Sequence, residues 1–152
     1  MSQGPSEHLT WAEMACKDDP DPAKRTPYPA IWRSDRAVEL AKAFERVREL
    51  CGFPLIVNSG YRTAVYNDRI GGAAKSQHVE GRALDLRPVP FTKANLKALK
   101  MAAYKARDEG LFRGLGVYPG FIHIDTRRGA STDDPGRRVT WVNGTRDLDG
   151  TI

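Results

Sequence analysis

Long apolar runs are missing from this chain of 152 residues. No stretch reaches the ~20 consecutive apolar residues that a membrane-spanning helix requires, so membrane insertion is not expected. Cysteine is scarce: Cys16 and Cys51 are the two in the sequence. Without a CxxC pair they do not offer the thiolates of a structural zinc site. Nothing in their spacing points to a disulfide, and Cys51, on the apolar stripe of a predicted helix, reads as a buried free thiol. Internal repeats and low-complexity tracts are lacking. The N-terminal stretch has no basic segment leading into an apolar core, as a secretory leader would. Charge is only mildly unbalanced: 24 Lys and Arg against 19 Asp and Glu give +5 with histidine neutral. Such a surface serves solubility as well as it serves a polyanionic partner. The basic residues are dispersed and the stacked aromatics of a single-strand binder are lacking, which argues against a nucleic-acid partner.

What is present reads as one domain of mixed elements, preceded by a proline-rich arm. Residues 1–33 hold half of the ten prolines (Pro5, Pro20, Pro22, Pro27, Pro29) and suggest a short helix near 10–16 followed by extended chain. From Ser34, taken as a cap, a helix is predicted over 35–51. Ala37, Leu40, Ala41, Phe44, Val47, Leu50 and Cys51 recur at its 3–4 spacing, and Gly52 stops it. A strand is expected at 54–58, a short helix at 64–70 and a strand at 83–87 ended by Pro88. Thr92 caps a second long helix over 93–109. Strands near 115–118 and 121–125 flank the Pro119-Gly120 turn, and a last one falls at 139–142. Helices and hairpin-like strands in this order argue for an α+β fold in which helices flank a small antiparallel sheet, with residues 34–152 forming the domain.

Three segments set polar residues beside strands. In Ser76-Gln-His78-Val-Glu80-Gly81-Arg-Ala83-Leu-Asp85, a histidine ends a loop and a carboxylate projects from the strand that follows. Gly81 permits a sharp turn, and Ala83, two residues before Asp85, leaves room on the same face. In Phe121-Ile-His123-Ile-Asp125, alternation puts His123 and Asp125 on one face and the isoleucines on the other. Ser59-Gly-Tyr-Arg62 offers a guanidinium from a turn. Taken singly, a histidine near a strand is most often a satisfied or surface residue, and an arginine a solvated ion-pair partner. Asp85 is harder to dismiss, because a carboxylate in an apolar strand needs a partner to offset its desolvation.

The string SQHVEGRALD resembles the Ser-x-His-x-x-Gly-x-Ala-x-Asp motif of the zinc D-Ala-D-Ala carboxypeptidase family, which is grouped with lysostaphin-type peptidases and the hedgehog signalling domain. Five fixed positions match by chance in about one random chain in ten thousand at average residue usage. SGYRT upstream and GVYPGFIHIDTR downstream resemble that family's arginine segment and final-ligand strand, so the likeness runs over about residues 34–126.

The resemblance implies one Zn²⁺ per chain, held by His78, Asp85 and His123, with an open fourth position as in catalytic sites. It implies Arg62 as a group that grips the substrate's carbonyl or carboxylate, with Ser76 beside it, and a peptidoglycan stem peptide as substrate. D-Ala-D-Ala carboxypeptidase and L-Ala-D-Glu endopeptidase activities both fit, including a phage lysin acting at the cell wall after release, or export by another route. A monomer is expected. The pattern departs from the family in one respect. Better-known members place a general base just before the last histidine, where this chain has Gly120 and Phe121. Two registers follow: His123 as ligand with Asp125 as base or supporting group, or His123 as base with Asp125 as ligand. The first is preferred, because two histidines and one carboxylate form the commoner catalytic set. Glu80 is a third candidate for the base. A zinc-bearing binding module without turnover is the alternative reading.

Overall fold

A computed structural model of the chain describes residues 3–128, 138–142 and 145–147. The expected 34–152 range therefore includes residues 129–137, 143–144 and 148–152, which lie outside those described. The α-helices are α1 (Trp11–Met14), α2 (Arg36–Cys51), α3 (Ala64–Arg69) and α4 (Lys93–Asp108). The strands are β1 (Leu55–Ser59), β2 (Ala83–Pro88), β3 (Gly114–Val117), β4 (Ile122–Asp125), β5 (Val139–Val142) and β6 (Thr145–Asp147). Short 3-10 turns at Pro22–Lys24 and Ala30–Trp32 interrupt the arm.

The long helices arise from local signals. Asp35, not Ser34, caps α2: its carboxylate accepts the Arg36 N–H at 2.6 Å, and a negative charge suits the positive end of the helix dipole. Gly52, at φ 79°, ends α2 in the left-handed region, and its N–H returns to the Arg48 carbonyl. At α4, the Thr92 hydroxyl accepts the Asn95 N–H at 3.1 Å. The apolar stripes of both helices, including Leu40, Phe44, Val47, Leu99 and Ala103, are buried in one core. Cys16 is buried and Cys51 half-buried, and both are free thiols.

The sheet order is β1-β2-β4-β3-β5-β6. All pairings are antiparallel except β3 with β5, which is parallel. The sheet is antiparallel, as the sequence suggested, apart from the one parallel pairing of β3 with β5. After the β3–β4 hairpin the chain returns to the outer side of β3, so β5 runs with it. Leu84, Leu86, Leu115, Val117, Ile122 and Ile124 alternate onto one buried face. Helix α4 lies against β2, β3 and β4 on that side, and α2 packs on α4. The opposite face is left to the polar residues.

Residues of the arm also enter the core, through Leu9, Met14 and Tyr28. Tyr28 meets Trp11, Trp32 and Tyr61 at ring-centroid distances of 5.9, 6.3 and 6.2 Å. The Met14 carbonyl accepts the Tyr61 N–H at 2.9 Å. These contacts press the arm against the two loops that carry Arg62 and His78.

Candidate metal centre

Cross-strand register sets Ser59, Asp85, His123, Gly116 and Trp141 in one row across five strands. Opposed residues share a face, so this row lies on the side away from the helices. An irregularity between Val57 and Ser59 brings Ser59 opposite Asp85, as a bulge does when it re-aims a side chain. The next row runs Ala83, Asp125, Gly114. His78 reaches the same place from the loop before β2. That loop turns at Gly81, whose φ of 68° requires glycine and whose position leaves no room for a Cβ beneath Trp32. The Tyr28 hydroxyl donates to the Gly81 carbonyl at 2.7 Å and fixes the turn.

His78, Asp85 and His123 each turn one donor atom inward, all within 4.8 Å of one another. Their hydrogen bonds fix which nitrogens are free. The Gly60 carbonyl, 2.7 Å from Nδ1 of His78, can only accept, so Nδ1 carries the hydrogen. Nε2 of His78 then presents a lone pair to Oδ1 of Asp85 at 3.2 Å. Likewise Nε2 of His123 donates to Oδ2 of Asp125 at 2.8 Å, and its Nδ1 faces the same Asp85 oxygen at 3.0 Å. Two imidazole nitrogens and a carboxylate oxygen aimed at one point need a cation between them. A proton on Nδ1 of His123 serves in part. A divalent metal with a preference for nitrogen and oxygen serves all three, and the donor set fits zinc.

The titration of these groups reflects the same arrangement. Burial opposes ionisation of Asp85, but the hydrogen bond from His123 holds its carboxyl well below the usual carboxylate range. Asp125 behaves alike, with Arg127 and His123 overcoming its burial. Burial pulls the His78 imidazole down, keeping it neutral. Burial also acts downward on His123, yet the bonds to Asp125 and Asp85 outweigh it and raise the imidazole to about 9.

Arg62 donates from Nε to the Ser59 hydroxyl at 3.0 Å, from Nη1 to Asn67 at 3.2 Å and from Nη2 to Asp85 at 3.4 Å. Its backbone N–H bonds the His78 carbonyl at 3.1 Å, so guanidinium and ligand loop are tied together. The Ser76 hydroxyl accepts the His78 N–H at 3.2 Å. Arg62, Ser76, His78, Asp85 and His123 all line one open cleft of about 230 Å³. Asp125 does not line it. It is fully buried behind His123, and Arg127 donates to both its oxygens at 2.8 Å. Glu80 does not line it either: its carboxylate is 3.3 Å from Nη1 of Arg36.

Sequence reasoning missed Arg127, Tyr118 and Trp141, which complete the cleft wall. It also missed why Gly114 and Gly116 are glycines. A Cβ at Gly114 would stand 2.1 Å from Oδ2 of Asp125, and one at Gly116 would stand 2.6 Å from Nε1 of Trp141. The alternation Gly-Leu-Gly opening β3 was the available signal: one strand face is bare because its neighbours' side chains lie across it.

The profile of the family described as Peptidase M15 matches residues 7–125, which takes in the arm as well as all three inward-facing donors. The zinc D-Ala-D-Ala carboxypeptidase of Streptomyces albus G is 30% identical over 115 residues. That alignment covers 74% of this chain and 42% of the relative, so the chain spans less than half of that protein's length.

Proposed function

This chain belongs to the Peptidase M15 family, and we propose that it is a zinc-dependent peptidase that hydrolyses a peptide bond in peptidoglycan stem peptides. The observation that carries the reading is the convergence of Nε2 of His78, the Asp85 carboxylate and Nδ1 of His123, with both imidazole tautomers set by partners outside the cleft. One Zn²⁺ per chain would be held by these three residues. When bound, zinc supplies Lewis acidity, polarising a carbonyl and lowering the pKa of water toward neutrality. The protein's own residues bind and orient. Arg62, held on three sides, presents a fixed planar cation to the substrate's carbonyl or carboxylate. Ser76 holds the His78 loop at the cleft edge. Asp125 and Arg127 keep the His123 ring turned with Nδ1 toward the cleft. The site of action we infer is the cell wall, where such peptides are found.

A binding module that holds zinc without turnover is the second reading. It is favoured by the engagement of Asp125 with Arg127 and of Glu80 with Arg36, which keeps both candidate bases off the cleft wall. Zinc-loaded protein incubated with purified muropeptides, followed by mass spectrometry, separates the two. Peptidase action yields two fragments whose masses sum to the parent plus one water, and identifies the bond. Intact muropeptides recovered at full zinc occupancy would replace the first reading by the second.

A further inference from the structure

The described cleft wall contains no carboxylate besides Asp85 and no histidine besides His78 and His123. Asp125 and Glu80 are engaged elsewhere. A peptide carbonyl that becomes tetrahedral in this cleft gains negative charge, which calls for a hydrogen-bond donor opposite Arg62, where Arg127 is already engaged by both oxygens of Asp125. The wall offers one in Tyr118.

Tyr118 follows β3 two residues after Gly116, and so continues the row face on the side away from Arg62. Its ring stacks on Phe121, with centroids 4.5 Å apart and planes 6° from parallel. Its oxygen accepts the Trp141 indole N–H at 2.6 Å. That indole lies over Gly116, and its ring centroid is 5.2 Å from that of His123. The indole N–H can only donate, so it occupies a lone pair of the phenol and leaves the phenolic O–H to donate. No acceptor for that hydrogen is found among the described residues. The metal donors are thus bracketed by a guanidinium at one end of the row and a fixed hydroxyl at the other.

We propose that the Tyr118 hydroxyl donates a hydrogen bond to the scissile carbonyl oxygen of the substrate as that oxygen gains charge, with Trp141 as the residue that positions it. The inference rests on the peptidase reading given above. Tyr118 supplies transition-state stabilisation, and Trp141 acts only through Tyr118.

Tyr118→Phe keeps the stack on Phe121 and removes the donor; Trp141→Phe keeps a ring beside His123 and removes the indole N–H. Two readouts apply to the zinc-loaded proteins: steady-state hydrolysis of a stem peptide, and calorimetric binding of a phosphinate pseudopeptide whose tetrahedral phosphorus replaces the scissile carbonyl. Tyr118→Phe should lower kcat by about 10²–10³-fold, the usual loss of one such donor, with zinc content and KM near wild type. It should weaken the phosphinate far more than it weakens the peptide. Trp141→Phe should show a smaller loss, and the double variant should be no worse than Tyr118→Phe alone. Wild-type kcat and phosphinate affinity in Tyr118→Phe would overturn the inference and leave the peptidase reading standing. A double variant showing the product of both single losses would overturn the role of Trp141. Wild-type protein that binds zinc but neither cuts the peptide nor binds the phosphinate would overturn the peptidase reading and this inference together.

Discussion

The carboxylate of Asp125 sits behind His123, with Oδ2 2.8 Å from the imidazole Nε2. Both Asp125 oxygens also accept from Arg127, and the residue has no exposed surface. This geometry favours a carboxylate that orients a ligand over one that takes a proton from water. Asp125→Asn should therefore retain zinc, with activity or metal affinity down by about 10–100-fold. A loss of about 10²–10⁴-fold in rate at unchanged affinity would instead identify a general base. A zinc-free Asp125→Asn protein alongside a zinc-loaded His123→Ala protein would indicate the exchanged register.

Gly114→Ala tests the same support from the neighbouring strand. The added Cβ would meet Oδ1 and Oδ2 of Asp125 at 2.2 and 2.1 Å, so the carboxylate must move. Overpacking of this kind costs about 1–3 kcal/mol, readable as a fall in Tm. Zinc titration should show weakened binding as His123 loses its anchor. Unchanged affinity would mean that Asp125 does not hold the ring.

Arg62→Lys should lower turnover on stem peptides while leaving zinc content and fold intact. Lysine keeps the charge but cannot reach Ser59, Asn67 and Asp85 together while presenting a planar fork. Parallel measurement of kcat/KM and bound zinc checks this. Wild-type kcat/KM would reduce Arg62 to a structural ion-pair partner.

Metal binding should expel a proton. Without metal the His123 imidazole titrates at about 9, raised from an ordinary 6.5, so near pH 7 it carries hydrogens on both nitrogens. Coordination through Nδ1 requires one of them to leave. Calorimetry in buffers of different ionisation enthalpy should report about one proton released per zinc, and affinity should rise with pH up to about 9. The linked effect on stability has a definite sign. A folded pKa above the unfolded value stabilises the metal-free protein fully below pH 6.5, and that contribution is lost as pH rises through about 9. The metal-free Tm should fall over that window. A flat profile with no proton release would show that His123 is neutral before zinc arrives.

Much of this was legible in the sequence because it is local. The periodicity of α2 and α4, the stop at Gly52 and the cap at Thr92 all act within a turn or two, and these elements stand within a residue or so of where they were expected. The inward-facing His78, Asp85 and His123 were visible because a fixed motif and strict strand alternation do not depend on the rest of the chain. What was hidden depends on non-local pairing. The parallel β3–β5 contact, which brings Trp141 over Gly116, leaves no trace in either segment alone. The burial of Leu9, Met14 and Tyr28 could not be read from a proline-rich stretch. Nor could the bonding of Asp125 to Arg127 be told from an ordinary i,i+2 pair of charges.

The most direct test of the metal centre is anomalous diffraction at the zinc edge from crystals of the zinc-loaded protein. The account predicts one peak per chain, at about 2.0–2.2 Å from Nε2 of His78, the Asp85 carboxylate and Nδ1 of His123, with no peak from His78→Ala crystals. A peak bounded by Asp125 in place of His123, or one that survives His78→Ala, would contradict it.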